Sequence, residues 1–144
     1  MPMNHHATAV VLGDRGVLIR GRSGAGKTTL ALALVGMCAA KGRFASLVSD
    51  DQALLEARGG RLVCRAPESI AGMAEYRGMG PEPTPFEPAM VVGLVVDLVE
   101  RGAVPRYPER DSVVLEGCEV PLLVLPEHEI AGPALLILRK LGPR

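Results

Sequence analysis

Residues Gly21, Arg22, Ser23, Gly24, Ala25, Gly26, Lys27 and Thr28 run consecutively and fit the phosphate-loop pattern G-x-x-x-x-G-K-[ST] at every fixed position. Glycines let the main chain curl until successive N–H groups face one anion. A helix that starts where the loop ends adds the partial positive charge of its N-terminus. In such a loop the Lys27 ammonium reaches the β- and γ-phosphates of a nucleotide. The Thr28 hydroxyl offers an oxygen to Mg²⁺, a hard cation that prefers oxygen ligands. The eight residues are therefore the expected binding site for a nucleoside triphosphate such as ATP.

Phosphoryl transfer also calls for a metal-holding acid and a group that accepts a proton or steers the nucleophile. Leu47-Val48-Ser49-Asp50-Asp51 is an apolar run that ends on two carboxylates. When such a run is a strand beside the phosphate loop, the acid at its end lies next to the Mg²⁺ ion. Two adjacent carboxylates allow a division of labour, one bonded to the metal shell and the other taking the proton of an incoming hydroxyl. Their mutual repulsion raises one of the two pKa values unless a metal offsets it. The spacing leaves open which is which, and a pair of solvated turn residues is the plain alternative.

The elements that must carry these groups read as follows. Residues 7–12 are apolar and β-branched, 13–16 form a turn and 16–20 return as a strand, a hairpin that leads into the loop. Residues 27–40, rich in Ala and Leu, form a helix that stops at Lys41-Gly42-Arg43, with Gly42 just past the end. Residues 44–49 are the strand that closes on the acidic pair, and 53–57 with 61–65 form a second hairpin around Arg58-Gly59-Gly60. Residues 67–88, rich in Pro, Gly, Glu and Met, read as an irregular, mobile substrate loop, since compact domains seldom keep so long a loop without use. Then come a buried strand at 90–99, a polar loop at 102–111, a β pair at 113–116 and 120–125, and a closing helix at 133–141 with Pro133 in its first turn. Residues 1–5 read as a disordered tail. Only one long helix follows a strand directly, which excludes a regularly alternating βαβ chain. The expected fold is α/β, a P-loop phosphotransferase with a mixed sheet and extra β-hairpins around one strand–loop–helix unit, in a single domain over residues 1–144.

Composition narrows the function classes. The chain is 48% hydrophobic but has no Trp, two Phe and two Tyr, so Val, Leu and Ala must pack the core. Sixteen basic against sixteen acidic residues argue against a nucleic-acid binder held by a broad basic face. No apolar run approaches the ~20 residues needed to span a bilayer, and the N-terminus lacks a cationic start and an apolar signal core. Cys38, Cys64 and Cys118 are odd in number and lack metal spacing, which suits small buried hydrophobes in a reducing cytoplasm. Met73, Met79 and Met90, in or near the long loop, are either an adaptable docking surface for a partner or core gap-fillers.

Glu75-Tyr76-Arg77-Gly78-Met79-Gly80 is by itself an ordinary polar run. Together with the blocks before it, however, it resembles the catalytic domain of the HPr kinase/phosphorylase family, bacterial enzymes that modify a serine of the phosphocarrier protein HPr. In that family a histidine precedes the hairpin, the loop reads G-x-S-G-x-G-K-[ST], and a Leu-Val-x-Asp-Asp strand end and a Glu-x-Arg-Gly-x-Gly segment follow. Here His6 and residues 21–28, 47–51 and 75–80 stand in that order at similar spacing, and Ala66-Pro67-Glu68 also fits. The resemblance spans residues 6–126. It implies that Lys27 binds phosphates, that Thr28 and Glu75 coordinate Mg²⁺ with Asp50 in the metal and water network, and that Asp51 deprotonates the substrate serine. It also places His6 near the active site and gives Arg77 the positioning of phosphoryl oxygens, a task that suits a planar bidentate donor.

The sequence departs from the family pattern in several places. The family's N-terminal domain and the full length of its C-terminal helices are expected to be missing, and the stretch between Thr28 and Asp50 is several residues longer. Bifunctional members carry a Pro-x-x-Pro-Gly-Arg-Asn loop whose arginine serves dephosphorylation, whereas Pro126-Glu127-His128-Glu129-Ile130-Ala131-Gly132-Pro133 has no arginine. The resemblance thus implies an ATP-dependent serine kinase for an HPr-like phosphocarrier, with phosphorylase activity weak or lost. It is similar to the short alphaproteobacterial kind, whose phosphotransferase system is regulatory, and it implies a homo-oligomer, a hexamer in the family. A small-molecule P-loop kinase and a non-catalytic ATP-binding regulator are the two other readings.

Overall fold

Four β-hairpins, one long helix and a long central strand dominate the described residues. The computed structural model describes residues 1–142; residues 143 and 144 of the expected domain lie outside the described residues. In chain order the strands and helices are β1 (Met3–His5), β2 (Ala7–Leu12), β3 (Arg15–Arg20), α1 (Lys27–Ala40), β4 (Ala45–Ser49), β5 (Ala53–Arg58) and β6 (Arg61–Arg65). They continue with β7 (Met73–Tyr76), β8 (Gly80–Pro83), β9 (Met90–Val99), β10 (Ser112–Leu115), β11 (Cys118–Pro126) and α2 (Ala131–Leu141). Helix α1 ends as the sequence predicts. Gly42 takes φ +71°, its N–H donates to the Ala39 carbonyl, and the Arg43 N–H donates to the Cys38 carbonyl.

Among the described residues nine strands form one sheet, with β1-β5-β6-β9-β3-β2-β4 in order and β11 on β9 with β10 outside it. β3, β9 and β11 run parallel, and β2 is antiparallel to both β3 and β4. The carboxyl ends of β3, β4, β9 and β11 therefore share one edge of the sheet, the edge where ligands bind in open α/β folds. β9 is the hub. Its first two residues pair with β6, and Val95 and Val96 pair with both β3 and β11.

Side chains alternate across the sheet into two cores. Val17, Ile19, Leu94, Val96 and Leu98 pack with Leu30, Leu34 and Ile137 of the two helices. Leu18, Leu55, Leu62, Val92, Val95 and Leu122 fill the opposite face. Val92 and Leu94 are two apart yet face opposite sides. The pairing shift between Gly16↔Val92 and Val17↔Leu94 leaves Gly93 as the extra residue of a bulge, which reverses the alternation. Burial in the second core pushes the Cys64 thiol up to about 12, and all three cysteines are free and buried. No helix of the described residues is long and apolar enough to cross a membrane.

Two expectations are corrected. Residues 3–5 are not a disordered tail but strand β1 on the edge of β5, where Asn4 also bonds Gln52. Residues 67–88 are not an irregular loop. A 3₁₀ turn at Glu68–Ile70 leads into a β7–β8 hairpin. The prolines hid it, but Pro81 and Pro83 alternate, so both missing N–H groups fall on one edge of a strand that pairs only on the other. The Phe86 ring packs onto Gly72, whose carbonyl accepts the Thr84 N–H, and the Glu87 N–H donates to the Leu47 carbonyl. The hairpin is thereby tied to the free edge of β4.

A second tie comes from the far end of the chain. The Glu127 N–H donates to the Val99 carbonyl and the His128 N–H to the Ala25 carbonyl inside the phosphate loop. The buried Glu127 carboxylate takes Nε and Nη2 of Arg22 as a bidentate pair, at 3.1 Å and 2.5 Å. The hydrogen bond from Arg22 holds the Glu127 carboxyl below its ordinary range, and Glu127 in turn holds the Arg22 guanidinium above its own.

Alanine usually improves a strand glycine by roughly 0.5–1 kcal/mol. At Gly16 the added Cβ would stand 2.2 Å from the Val91 carbonyl oxygen, so Gly16→Ala is expected to destabilise by about 1–3 kcal/mol in urea unfolding; an unchanged midpoint would contradict this packing. Because Glu127 titrates lower in the folded chain than in the unfolded one, its contribution is complete above the ordinary carboxylate range and is lost as pH falls through the folded value. Glu127→Gln should therefore lower the Tm at about pH 7, and the gap to wild type should narrow toward about pH 3.

Candidate active site

The phosphate loop links the end of β3 to α1. Gly24 and Gly26 hold φ of +83° and +96°, a region that favours glycine, and these two turns reverse the chain over the helix start. Gly26 is the N-cap of α1 and no side chain caps it, so the first N–H groups of the helix are left to face the cleft. Gly21 packs tightly, since a Cβ there would meet Ala25 and Leu98 at 3.2 Å and 3.3 Å.

Not every loop residue faces the cleft. Ser23, Gly24, Gly26, Lys27 and Thr28 line it. Ala25 is fully buried, Gly21 is held against Leu98, and the Arg22 guanidinium is turned away to Glu127. The cleft has a volume of about 640 Å³, and its other walls include Asp50, Asp51, Gln52, Glu75 and Arg77. Lys27 is 5% exposed, and its ammonium donates to the Gly21 and Arg22 carbonyls at 2.9 Å and 3.2 Å.

The two aspartates have different surroundings. Asp50, at the end of β4, is buried. Its Oδ1 accepts the Thr28 hydroxyl at 2.6 Å and the Thr8 hydroxyl at 3.1 Å, and its Oδ2 accepts the Glu75 N–H at 2.8 Å. The Asp51 side chain is 57% exposed, with its Oδ1 2.6 Å from His6 Nε2 and 3.6 Å from the Lys27 ammonium. Asp51 adopts φ +64°, an uncommon conformation for a non-glycine residue. The structure thus brings Lys27, Thr28, Asp50, Asp51, Glu75, Arg77 and His6 to one mouth.

Sequence reasoning missed two residues of this region. Thr8 is the one polar side chain in the β2 run of Ala and Val, fully buried and bonded to the acidic pair. Glu127 follows strand β11 as Asp50 follows β4, and that parallel was a usable signal. The donor set of Thr28 hydroxyl, Asp50 carboxylate and Glu75 carboxylate is all oxygen, which fits a magnesium ion.

The family model for the HPr serine kinase C-terminal domain matches residues 2–81. The HPr kinase/phosphorylase of Clostridium beijerinckii is 37% identical over 75 residues, 52% of this chain and 23% of that protein. That of Chlorobium phaeobacteroides is 30% identical over 135 residues, 85% of this chain and 40% of that protein. The chain therefore spans less than half the length of the curated relatives it matches. The solved Hpr(Ser) kinase/phosphatase of Coxiella burnetii superposes with a TM-score of 0.77 at 27% identity, over 94% of this chain and 86% of that one. The fold is the P-loop kinase fold, with a mixed sheet, and the chain belongs to the HPr serine kinase C-terminal domain family.

Proposed function

We propose that this chain is an ATP-dependent protein serine kinase whose substrate is an HPr-like phosphocarrier. The observation that carries the reading is the unequal state of the two aspartates. Asp50 has both oxygens occupied by donors, while Asp51 stands open at the cleft mouth beside Lys27 and His6. Family membership and the printed names of the relatives support the same conclusion.

In this reading the N–H groups of Ser23, Gly24, Gly26, Lys27 and Thr28, which line the cleft, and the Lys27 ammonium bind the triphosphate. Thr28 and Glu75, with Asp50 behind them, would hold Mg²⁺, which neutralises charge on the phosphates when bound. Arg77, in the cleft lining, orients phosphoryl oxygens. The serine Oγ forms a bond to the γ-phosphorus as the bond to the ADP oxygen breaks, and the serine proton passes to Asp51. His6, with its Nε2 2.6 Å from Asp51 Oδ1, fixes the direction of that carboxylate. Asp50, bound by Thr28, Thr8 and the Glu75 main chain, is spoken for and takes no proton.

The segment 126–133 has no arginine, and Glu127 in it is committed to Arg22, so dephosphorylation is proposed to be weak. The β7–β8 hairpin, with Met79 exposed at its tip, is proposed as the ledge on which the phosphocarrier sits.

Removing a general base typically costs 10²–10⁴-fold, so Asp51→Asn should lose at least about 100-fold in phosphate transfer to a purified HPr-like protein. ATP affinity should persist in that variant and collapse in Lys27→Ala. Retention of transfer by Asp51→Asn, or absence of transfer by the wild type with Mg-ATP, would defeat the proposal.

A further inference from the structure

We infer that Thr8 is the positioning residue that assigns the two aspartates their separate tasks. The inference rests on Asp51 being the proton acceptor. A threonine hydroxyl has one proton to give and lone pairs to receive. The Asp51 N–H can only donate, so the hydroxyl of Thr8, 3.1 Å away, is its acceptor. The single Thr8 proton is thereby left for Asp50 Oδ1, at 3.1 Å. One side chain thus reaches both members of the acidic pair, each in a fixed direction.

The neighbouring contacts strengthen this. The Ala7 N–H donates to the Asp51 carbonyl at 3.1 Å, so the amide and the carbonyl of Asp51 are both held by adjacent residues of β2. That two-point hold keeps Asp51 at φ +64°, where an L-residue other than glycine rests only when its surroundings impose it. The conformation turns the Asp51 side chain toward His6 and Lys27 while Asp50 faces inward to Thr28. Thr8 is fully buried and does not itself line the cleft, so it acts through the aspartates.

The test compares Thr8→Val, which swaps the hydroxyl for a methyl of similar shape, with Thr8→Ser, which restores the hydroxyl. Both are made in the full chain. Steady-state transfer to an HPr-like protein and hydrogen exchange of the Asp51 amide by NMR are read together. In Thr8→Val, kcat is expected to fall roughly 10–100-fold with KM for ATP within about threefold of wild type. The Asp51 amide should exchange at least about tenfold faster while the Val17 and Val95 amides stay protected. Thr8→Ser should recover most of both losses. The inference is overturned if Thr8→Val keeps kcat, if Thr8→Ser is as impaired as Thr8→Val, or if Asp51 exchange does not change. Should the wild type itself transfer nothing, it is the kinase reading that has failed. The exchange data then decide alone: protection lost in Thr8→Val and kept in Thr8→Ser upholds the positioning role, and unchanged protection removes it.

Discussion

One buried carboxylate holds the site together. Asp50 is the meeting point of three elements: β2 through Thr8, α1 through Thr28, and the β7–β8 hairpin through the Glu75 main chain. A buried carboxylate left without donors would be driven toward its neutral form. With three donors it is satisfied, and among the described residues no buried side-chain polar atom lacks a partner. Two of these bonds, from Thr28 and from the Glu75 main chain, link the helix start to the hairpin. A second carboxylate, Asp97, takes Arg20 as a bidentate partner where the parallel pair β3 and β9 approaches the loop. Charge pairing therefore stiffens the strand ends on which the cradle rests.

The cradle is braced from two sides, and the braces differ in kind. The Arg22–Glu127 pair turns a side chain of the loop away from the cleft and locks it to the C-terminal part of the chain. The hairpin brace is apolar and main-chain in character, with a phenylalanine ring on a glycine and a strand-like bridge from Phe86 to Leu47. Ionic contacts are directional and keep the loop in one shape. The hairpin thus adds to its charged anchor on Asp50 a broader contact that no charge pair holds.

Much of this was legible because it is local. The phosphate loop is eight consecutive residues whose composition admits few other shapes, and α1 follows with strong helix formers and a glycine stop. The acidic pair was legible from an apolar strand ending on two carboxylates. What stayed hidden is non-local. Thr8 meets Asp50 across 42 positions and Arg22 meets Glu127 across 105, and no window along the chain joins them. Strand β1 is three residues long and exists only because β5 presents an edge to it. The β7–β8 hairpin is rich in the residue type that usually forbids a strand, and only the position of its free edge makes that harmless. The reversal of alternation at Gly93 likewise depends on how closely Gly16 approaches the neighbouring strand, a matter of packing rather than of pattern.

The central place of β9 has a consequence for biosynthesis. β3 carries the loop, yet one of its two flanking strands arrives late, since Arg20 and its partner Asp97 are 77 positions apart. At about 5–20 residues per second a ribosome needs roughly 4–15 s to add that interval. During that time the nascent β2–β3 hairpin is an apolar ribbon with an open edge, the kind of surface that associates with other chains or recruits a chaperone. Completion of the sheet beneath the phosphate loop is thereby postponed until β9 has been made.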